Sequence, residues 1–266
     1  MPVRMVATDL DGTLLRSDGS VSERTARVLR RAAGAGVAVV PATARPLRWL
    51  DGYTFAAGLS YAVFANGAVV YDVGARQVIA RHLLPPDTVA VLCERISTAL
   101  PPARFAVETD DGMAMWHEPG YPLRSDLGQP GVAPATREAL VARPAAKLLV
   151  KAPGVDPDLL VARVVAAAGA DAEVSISASY GLAELAAVGV SKASGLAAVA
   201  ARLGVPAGEV VAFGDMPNDL PMLAWAGRAV AVANAHPDVL SAAHEIADSN
   251  DDDGVARWIT TMLSLD

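Results

Sequence analysis

Val3-Arg4-Met5-Val6-Ala7-Thr8-Asp9-Leu10-Asp11-Gly12-Thr13-Leu14 begins as an apolar run and closes on two carboxylates one residue apart, a glycine and a hydroxyl. The apolar run from Val3 predicts a short strand buried on both faces, as in a parallel sheet. In extended backbone Asp9 and Asp11 point to the same side, because side chains alternate with a period of two. Open α/β sheets bind ligands beyond the carboxyl ends of their strands, and this pair stands at such an end. Taken alone, Asp-x-Asp-Gly is equally a strand ending in a polar turn, so the weight falls on what else converges there.

Downstream, Ser20-Val21-Ser22-Glu23 offers two helix N-caps, Ser20 with capping-box spacing to Glu23 and Ser22 as the alternative. That helix is expected to run to about Ala33 and stop near Gly34 and Gly36. Val37 to Pro41 is the next apolar strand, which completes a βαβ unit with a right-handed crossover and a parallel sheet. Ala42-Thr43-Ala44-Arg45 follows its carboxyl end, and Pro46 opens a helix where its missing N–H is harmless. Tyr61 to Ala65 is a third strand, Asn66-Gly67 a turn, and Val69 to Tyr71 with Gln77 to Ala80 a hairpin.

From about Leu84 the pattern changes. Prolines punctuate the next fifty residues, and short strands at 104–108, 113–117, 147–151, 173–178 and 182–185 alternate irregularly with helices at 87–99, 134–142 and 156–168. Asp156-Pro157 is a good N-cap and first-turn pair for the last helix. Strands in runs beside helices predict an α+β module with an antiparallel sheet. The expected organisation is therefore a core of residues 1–83 and 186–266 with a second domain, 84–185, inserted into it. Past Gly189 the βα rhythm resumes: a helix capped by Ser191 runs to about Leu203 and stops at Gly204, and the strand Val210 to Gly214 ends on Asp215. Arg228 to Ala233 and His244 to Ala247 are further strands. The last helix, Gly254 to Leu263, follows Asp251-Asp252-Asp253. Acids before a helix N-terminus are favoured by its dipole, so the triplet reads as structural rather than as a metal site.

Of the 266 residues 53% are hydrophobic and 19% charged, enough apolar material for a core and too much for global disorder. A formal net charge of −7 argues against a nucleic-acid partner, which needs a basic face. The single cysteine, Cys93, excludes an intramolecular disulfide and a thiolate metal cage. It shares a helical pattern with Val89, Leu92, Ile96 and Leu100, so it reads as a core thiol. The apolar run after Arg4 is too short for a signal peptide, and no run of about 18 apolar residues occurs. A soluble cytoplasmic protein with no membrane partner is expected.

Asp9 with Asp11, Thr43, Lys192, and Asp215 with Asp219 all fall at carboxyl ends of strands or in first turns of helices. Asp215 and Asp219 are one helical turn apart and can face one site. If the four carboxylates meet, each like-charged pair at about 4 Å costs about 4 kcal/mol at an effective dielectric of about 20. Several such pairs would consume much of a typical stability of about 5–15 kcal/mol. A hard divalent cation removes the conflict, and oxygen ligands without cysteine or paired histidine favour magnesium. Lys192 and Thr43 supply a point charge and a hydroxyl donor for an anion, and Lys192 opens a helix whose free N–H groups welcome phosphate. No P-loop and no Gly-x-Ser-x-Gly occurs, and the four histidines show no metal-ligand spacing.

Asp9-Leu10-Asp11-Gly12-Thr13-Leu14, Thr43, Gly189-Val190-Ser191-Lys192 and Gly214-Asp215-x-x-Asn218-Asp219 resemble, in order, the four motifs of the haloacid dehalogenase (HAD) superfamily. The place of the insert and the ending Ser249-Asn250-Asp251-Asp252-Asp253-Gly254-Val255-Ala256 are similar to its Cof-type sugar-phosphatase branch, which carries a large α/β cap. The resemblance implies an α/β fold, with a Rossmann-like parallel sheet core and an inserted α+β cap domain. It implies a magnesium-dependent phosphatase that hydrolyses small phosphorylated metabolites, sugar phosphates foremost, through an aspartyl-phosphate. Asp9 would be the nucleophile, and Asp11 would protonate the leaving alkoxide and then activate water. Thr43 and Lys192 would hold the phosphoryl group, with Gly12 and Asn218 as further phosphate contacts. Asp9, Asp215 and the Asp11 backbone carbonyl would ligate magnesium, with Asp219 beside them. Arg45 would touch phosphate or cap. The family commonly has Thr-Gly-Arg where this chain has Thr43-Ala44-Arg45; if that glycine needs a positive φ, Ala44 would strain the loop. In the cap, Trp116, His117, Tyr121, Arg124 and Tyr180 are candidate readers of the substrate. A phosphomutase with the same nucleophile and a catalytically silent binding or regulatory module are the alternatives.

Overall fold

A computed structural model describes residues 2–52, 59–123, 128–177 and 181–264. In chain order the elements are β1 (Met5–Thr8), α1 (Glu23–Gly34), β2 (Ala38–Pro41), β3 (Tyr61–Phe64), β4 (Val69–Asp72), β5 (Gln77–Arg81), α2 (Pro86–Ala99), β6 (Arg104–Thr109), β7 (Ala114–His117), β8 (Val132–Pro134) and α3 (Arg137–Val141). They continue with β9 (Lys147–Lys151), α4 (Pro157–Ala168), β10 (Glu173–Ser177), β11 (Leu182–Ala186), α5 (Lys192–Leu203), β12 (Val210–Gly214), α6 (Leu220–Trp225), β13 (Arg228–Val232), α7 (Pro237–Ala242), β14 (Glu245–Ala247) and α8 (Gly254–Leu263). The chain divides into two compact units, one of residues 1–44, 50–80 and 191–266 and the other of residues 45–49 and 81–190.

The first unit is built on a five-stranded sheet in the order β14-β13-β12-β1-β2, parallel throughout. Every residue of β1 and β12 is buried, which is why these runs are continuously apolar rather than alternating. The register pairs Thr8 with Phe213 on one side and with Pro41 on the other. The ends of three strands are therefore level, and the residues that follow them, Asp9, Asp215 and Thr43, leave the sheet on one edge. The chain moves from β1 to β2 in one direction and from β12 to β13 in the other, so the order reverses between β1 and β12. That reversal opens a crevice at the carboxyl ends.

Of the two candidate caps for α1, Ser22 is the one used, its side chain accepting from the Thr25 N–H. The helix buries Val28, Leu29 and Ala32 and packs along α8. The expected helix after Pro46 is a 3-10 turn, Leu47–Gly52. β3 pairs with β2 only through a bridge between Ala42 and Val63 and otherwise joins β4 and β5 in a small sheet of its own. The strand stops one residue short of the expected Ala65, because Ala65, Asn66 and Gly67 all take positive φ.

The second unit holds a six-stranded sheet in the order β10-β11-β9-β6-β7-β8, antiparallel except for the β7–β8 pair. Phe105, Val107, Leu148, Val150 and Leu185 meet Leu92, Ile96, Leu160 and Val164 of α2 and α4 in one core. Cys93 belongs to that core, and burial pushes its thiol up to about 12. Alternation puts Glu108, Lys147 and Glu184 on the other sheet face, where Lys147 Nζ lies 3.1 Å from Glu184 and 3.8 Å from Glu108. Arg48 reaches Glu108 at 3.4 Å. The helix expected at 134–142 is shorter: β8 takes Val132–Pro134, Thr136 caps, and α3 spans only Arg137–Val141. Arg124 and Tyr180 lie outside the described residues.

Candidate active site

β1 delivers Asp9 into the crevice, its N–H bonded to the Phe213 carbonyl at 3.0 Å and its side chain buried. The chain then folds into a tight turn in which the Thr13 and Leu15 N–H groups both donate to the Leu10 carbonyl, at 3.3 and 2.8 Å. Asp11 rides exposed on that turn. Gly12 has φ +79°, and a Cβ there would stand 2.4 Å from Asp215 Oδ2. Conformation and space both require glycine. Thr13 Oγ1 donates to Asp215 Oδ1 at 2.8 Å.

Lys192 enters from the first position of α5, which Ser191 and Ser194 close with a reciprocal capping box. The left-handed turn at residues 65–67 allows the close approach that seats this helix: a Cβ on Gly67 would fall 2.0 Å from the Ser191 carbonyl oxygen. Lys192 is 2% exposed, and its Nζ donates to Asp9 Oδ1 at 2.5 Å and to Asp219 Oδ1 at 2.6 Å. Asp219 ends the 3-10 turn Pro217–Asp219, and its Oδ2 accepts the N–H groups of Asp215 and Met216, each at 3.0 Å. One carboxylate thereby closes the turn and meets the lysine.

Asp9, Asp215 and Asp219 offer carboxylate oxygens within 4.8 Å of one another, and all three are buried. One ammonium faces three acids. Burial is the main cause that holds the Asp9 carboxyl well above its usual range, Lys192 pulling against it and Asp219 and Asp215 adding to it. Burial, reinforced by Asp219, pushes Asp215 up to about 6. Lys192 is raised in spite of burial, because Asp219 and Asp9 favour its charged form. A cluster of hard oxygen donors with surplus negative charge suits a divalent metal ion.

Thr43 is buried just past β2, with its N–H on the Val63 carbonyl at 2.9 Å and its own carbonyl accepting from the Asn66 N–H at 3.0 Å. Asn218 lies half-buried on the turn before Asp219. Arg45 belongs to the second unit, its guanidinium 5.4 Å from the centre of the Trp49 ring. Ala44 is not among the described residues with positive φ, so the strain that the Thr-Ala-Arg variant threatened does not arise.

The acidic triplet is structural for a different reason from the one expected. Asp253 makes no side-chain cap on α8 and sits at φ +59°. Its carboxylate instead accepts from Arg16 at 2.9 Å, and Asp251 accepts from the backbone and hydroxyl of Ser17 at 2.8 and 2.7 Å. Sequence reasoning misses Asn234, and it marks Asn250 only as part of the ending Ser249–Ala256, with no contact assigned. Asn234 Nδ2 donates to the Gly12 carbonyl at 2.8 Å, and Asn250 Nδ2 donates to the Leu15 carbonyl at 2.9 Å. Partners more than two hundred positions away leave no local signal.

Residues 6–259 match the family of haloacid dehalogenase-like hydrolases, and the chain belongs to that family. It is an enzyme of the phosphatase type. Over 98% of its length it is 28% identical to 98% of 5-amino-6-(5-phospho-D-ribitylamino)uracil phosphatase YitU of Bacillus subtilis (strain 168). A haloacid dehalogenase-like hydrolase from Bacteroides thetaiotaomicron superposes with a TM-score of 0.81 at 27% identity, over 98% of this chain and 99% of that one. The HAD subclass IIB sugar phosphatase BT4131 shares the fold, with a TM-score of 0.83 at 19% identity over 99% of this chain and 100% of the other. No helix among the described residues is long and apolar enough to cross a membrane.

Proposed function

We propose that the protein is a magnesium-dependent phosphatase of small phosphorylated metabolites, sugar phosphates and phosphorylated polyols above all, and that it works through an aspartyl-phosphate. The observation that carries this reading is the buried contact of Lys192 with Asp9 beside Asp215 and Asp219. It supports a reading in which a carboxylate nucleophile, a fixed cation and a set of metal ligands work together at one strand end. The ribityl phosphate in the name of the Bacillus subtilis relative supports the substrate class.

An oxygen of Asp9 attacks phosphorus, the P–O bond to the ester oxygen breaks, and that oxygen takes the proton of the Asp11 carboxyl and leaves as an alcohol. Asp11, now a carboxylate, accepts a proton from water as the water oxygen attacks the same phosphorus. The bond to Asp9 breaks, inorganic phosphate leaves, and both acids return to their starting states. Lys192 and Thr43 hold the equatorial oxygens of the transferring group, with Gly12, Asn218 and Arg45 as further phosphate contacts. Phosphoryl transfer depends mainly on such positioning and charge stabilisation. Asp9, Asp215 and the Asp11 carbonyl, with Asp219 adjoining, would hold magnesium, which would supply the positive charge that keeps the buried acids ionised. Residues 84–185 act as the cap.

The test is phosphate release from p-nitrophenyl phosphate. Turnover that needs magnesium, requires no second acceptor and vanishes in Asp9→Asn is the expected result. Asp9→Asn activity within about tenfold of wild type would remove the covalent route, since losing a catalytic nucleophile costs far more.

A further inference from the structure

We infer that Asn234 and Asn250 are positioning residues for Asp11: they pin the turn that carries this acid to the opposite side of the crevice. The inference rests on the reading of Asp11 as general acid and base. Asp11 is exposed and lies on a short turn in which the Thr13 and Leu15 N–H groups donate to the Leu10 carbonyl. Such a turn does not by itself hold a side chain to the fraction of an ångström that proton transfer demands. The outside holds are specific. Asn234 Nδ2 binds the Gly12 carbonyl at 2.8 Å, directly after Asp11. Its Oδ1 accepts the Asn250 N–H at 3.0 Å. Asn250, buried at 6% exposure, donates its Nδ2 to the Leu15 carbonyl at 2.9 Å. Leu15 is also the bridge partner of Asp11. The two amides thus form one relay across the turn, from Gly12 through residues 234 and 250 to Leu15. The acidic segment extends the same clamp to Arg16 and Ser17.

This placement has a kinetic signature that stability alone does not produce. Protonating the leaving oxygen matters for an alkoxide and hardly at all for p-nitrophenolate, which leaves unaided. General acid catalysis is worth about 10²–10⁴-fold, so a loosened acid should cost about tenfold or more on a sugar phosphate and little on p-nitrophenyl phosphate. Asn234 is exposed, so Asn234→Ala is the variant least prone to unfold; Asn250→Ala is the second, paired with its thermal midpoint. Both are assayed at saturating magnesium against aryl and alkyl phosphates of graded leaving-group basicity, beside Asp11→Asn. The expected result is a steeper dependence on leaving group in Asn234→Ala, in the same direction as in Asp11→Asn. If Asp11→Asn steepens the dependence and Asn234→Ala lowers all esters equally or not at all, the positioning role is overturned and the acid/base reading stands. If Asp11→Asn itself shows no such dependence, the acid/base reading falls and this inference falls with it.

Discussion

Asp215→Asn should make the metal-free protein more stable at neutral pH, although it removes a proposed metal ligand. Burial and the neighbouring Asp219 push the Asp215 carboxyl from its ordinary 3.8 up to about 6. The folded state therefore retains a proton between those values that the unfolded chain has released, and stability falls as pH climbs through that window. At about 1.4 kcal/mol per pH unit the fall amounts to about 3 kcal/mol, complete above pH 6 and absent below pH 4. Asparagine keeps an oxygen for the Thr13 hydroxyl and fits the same space against Gly12, so the charge is the main thing lost. It also relieves Asp9, whose carboxyl Asp215 helps to raise. The assay is urea unfolding of chelator-treated wild type and variant across pH 4–8, followed by fluorescence of the first unit, where Trp258 meets Phe213 edge-on at 5.3 Å. The variant should match wild type near pH 4 and exceed it by about 3 kcal/mol at pH 7. Magnesium should then stabilise wild type and leave the variant nearly unmoved. A gap that does not change with pH, or a variant less stable at pH 7, would refute the repulsion argument.

Lys192→Met leaves Asp9 and Asp219 buried without their cation, which should cost about 3–5 kcal/mol in urea melts, together with a loss in kcat of about 10²-fold or more; an effect confined to KM would count against the role given to Lys192. Protons and metal compete for Asp215, and for Asp9, whose carboxyl is also raised, so magnesium affinity measured by calorimetry without substrate should weaken by about tenfold or more per pH unit below pH 6; a flat profile from pH 5 to 7 would contradict this. Gly67→Ala must adopt φ +112° and push a methyl to 2.0 Å from the Ser191 carbonyl, so thermal denaturation should show a loss of about 1–3 kcal/mol or more, with Lys192 displaced and turnover reduced; an unperturbed variant would show that the turn at residues 65–67 does not seat α5.

What the sequence disclosed follows from how far each signal reaches. A buried parallel strand is a run of apolar residues ended by a turn, so β1, β2 and β12 and the acids at their ends are visible locally. Caps are local too: Ser22, Asp156 and Ser191 each accept a backbone N–H within three residues. Boundaries were less legible where two local signals competed, as at residues 132–136, where Pro134 serves equally as a strand end or a helix start. The contacts that make the site are of another kind. Lys192 meets an acid 183 positions away and Asn234 a carbonyl 222 positions away. Neither leaves a trace in its neighbours, and a lysine at a helix start looks like any solvated lysine. Lys192 gained weight only from its place in a set, first at a helix start among the strand-end acids and then in the four ordered motifs, and nothing comparable marked Asn234.

The same device, a buried lysine bridging two acids, occurs in both units, and charge decides what each instance is for. In the second unit Lys147 and Arg48 meet Glu108 and Glu184, two cations for two acids. Among these four groups attraction offsets repulsion, so the set can hold three strands and the segment of residues 45–49 together without further help. In the first unit Lys192 meets Asp9 and Asp219, and Asp215 adds a third acid within 4.8 Å. The surplus cannot be spread into water, because all three side chains are buried. The metal-free protein answers by raising Asp9 and Asp215 toward their protonated forms, a state in which Asp9 could not act as the proposed nucleophile. Raising the pH alone would ionise Asp9 at the expense of stability, whereas a divalent cation ionises it and stabilises the fold together. On the proposed mechanism the excess of acid over base is thus what would tie activity at this strand end to a metal ion, and the matched set in the second unit makes no such demand.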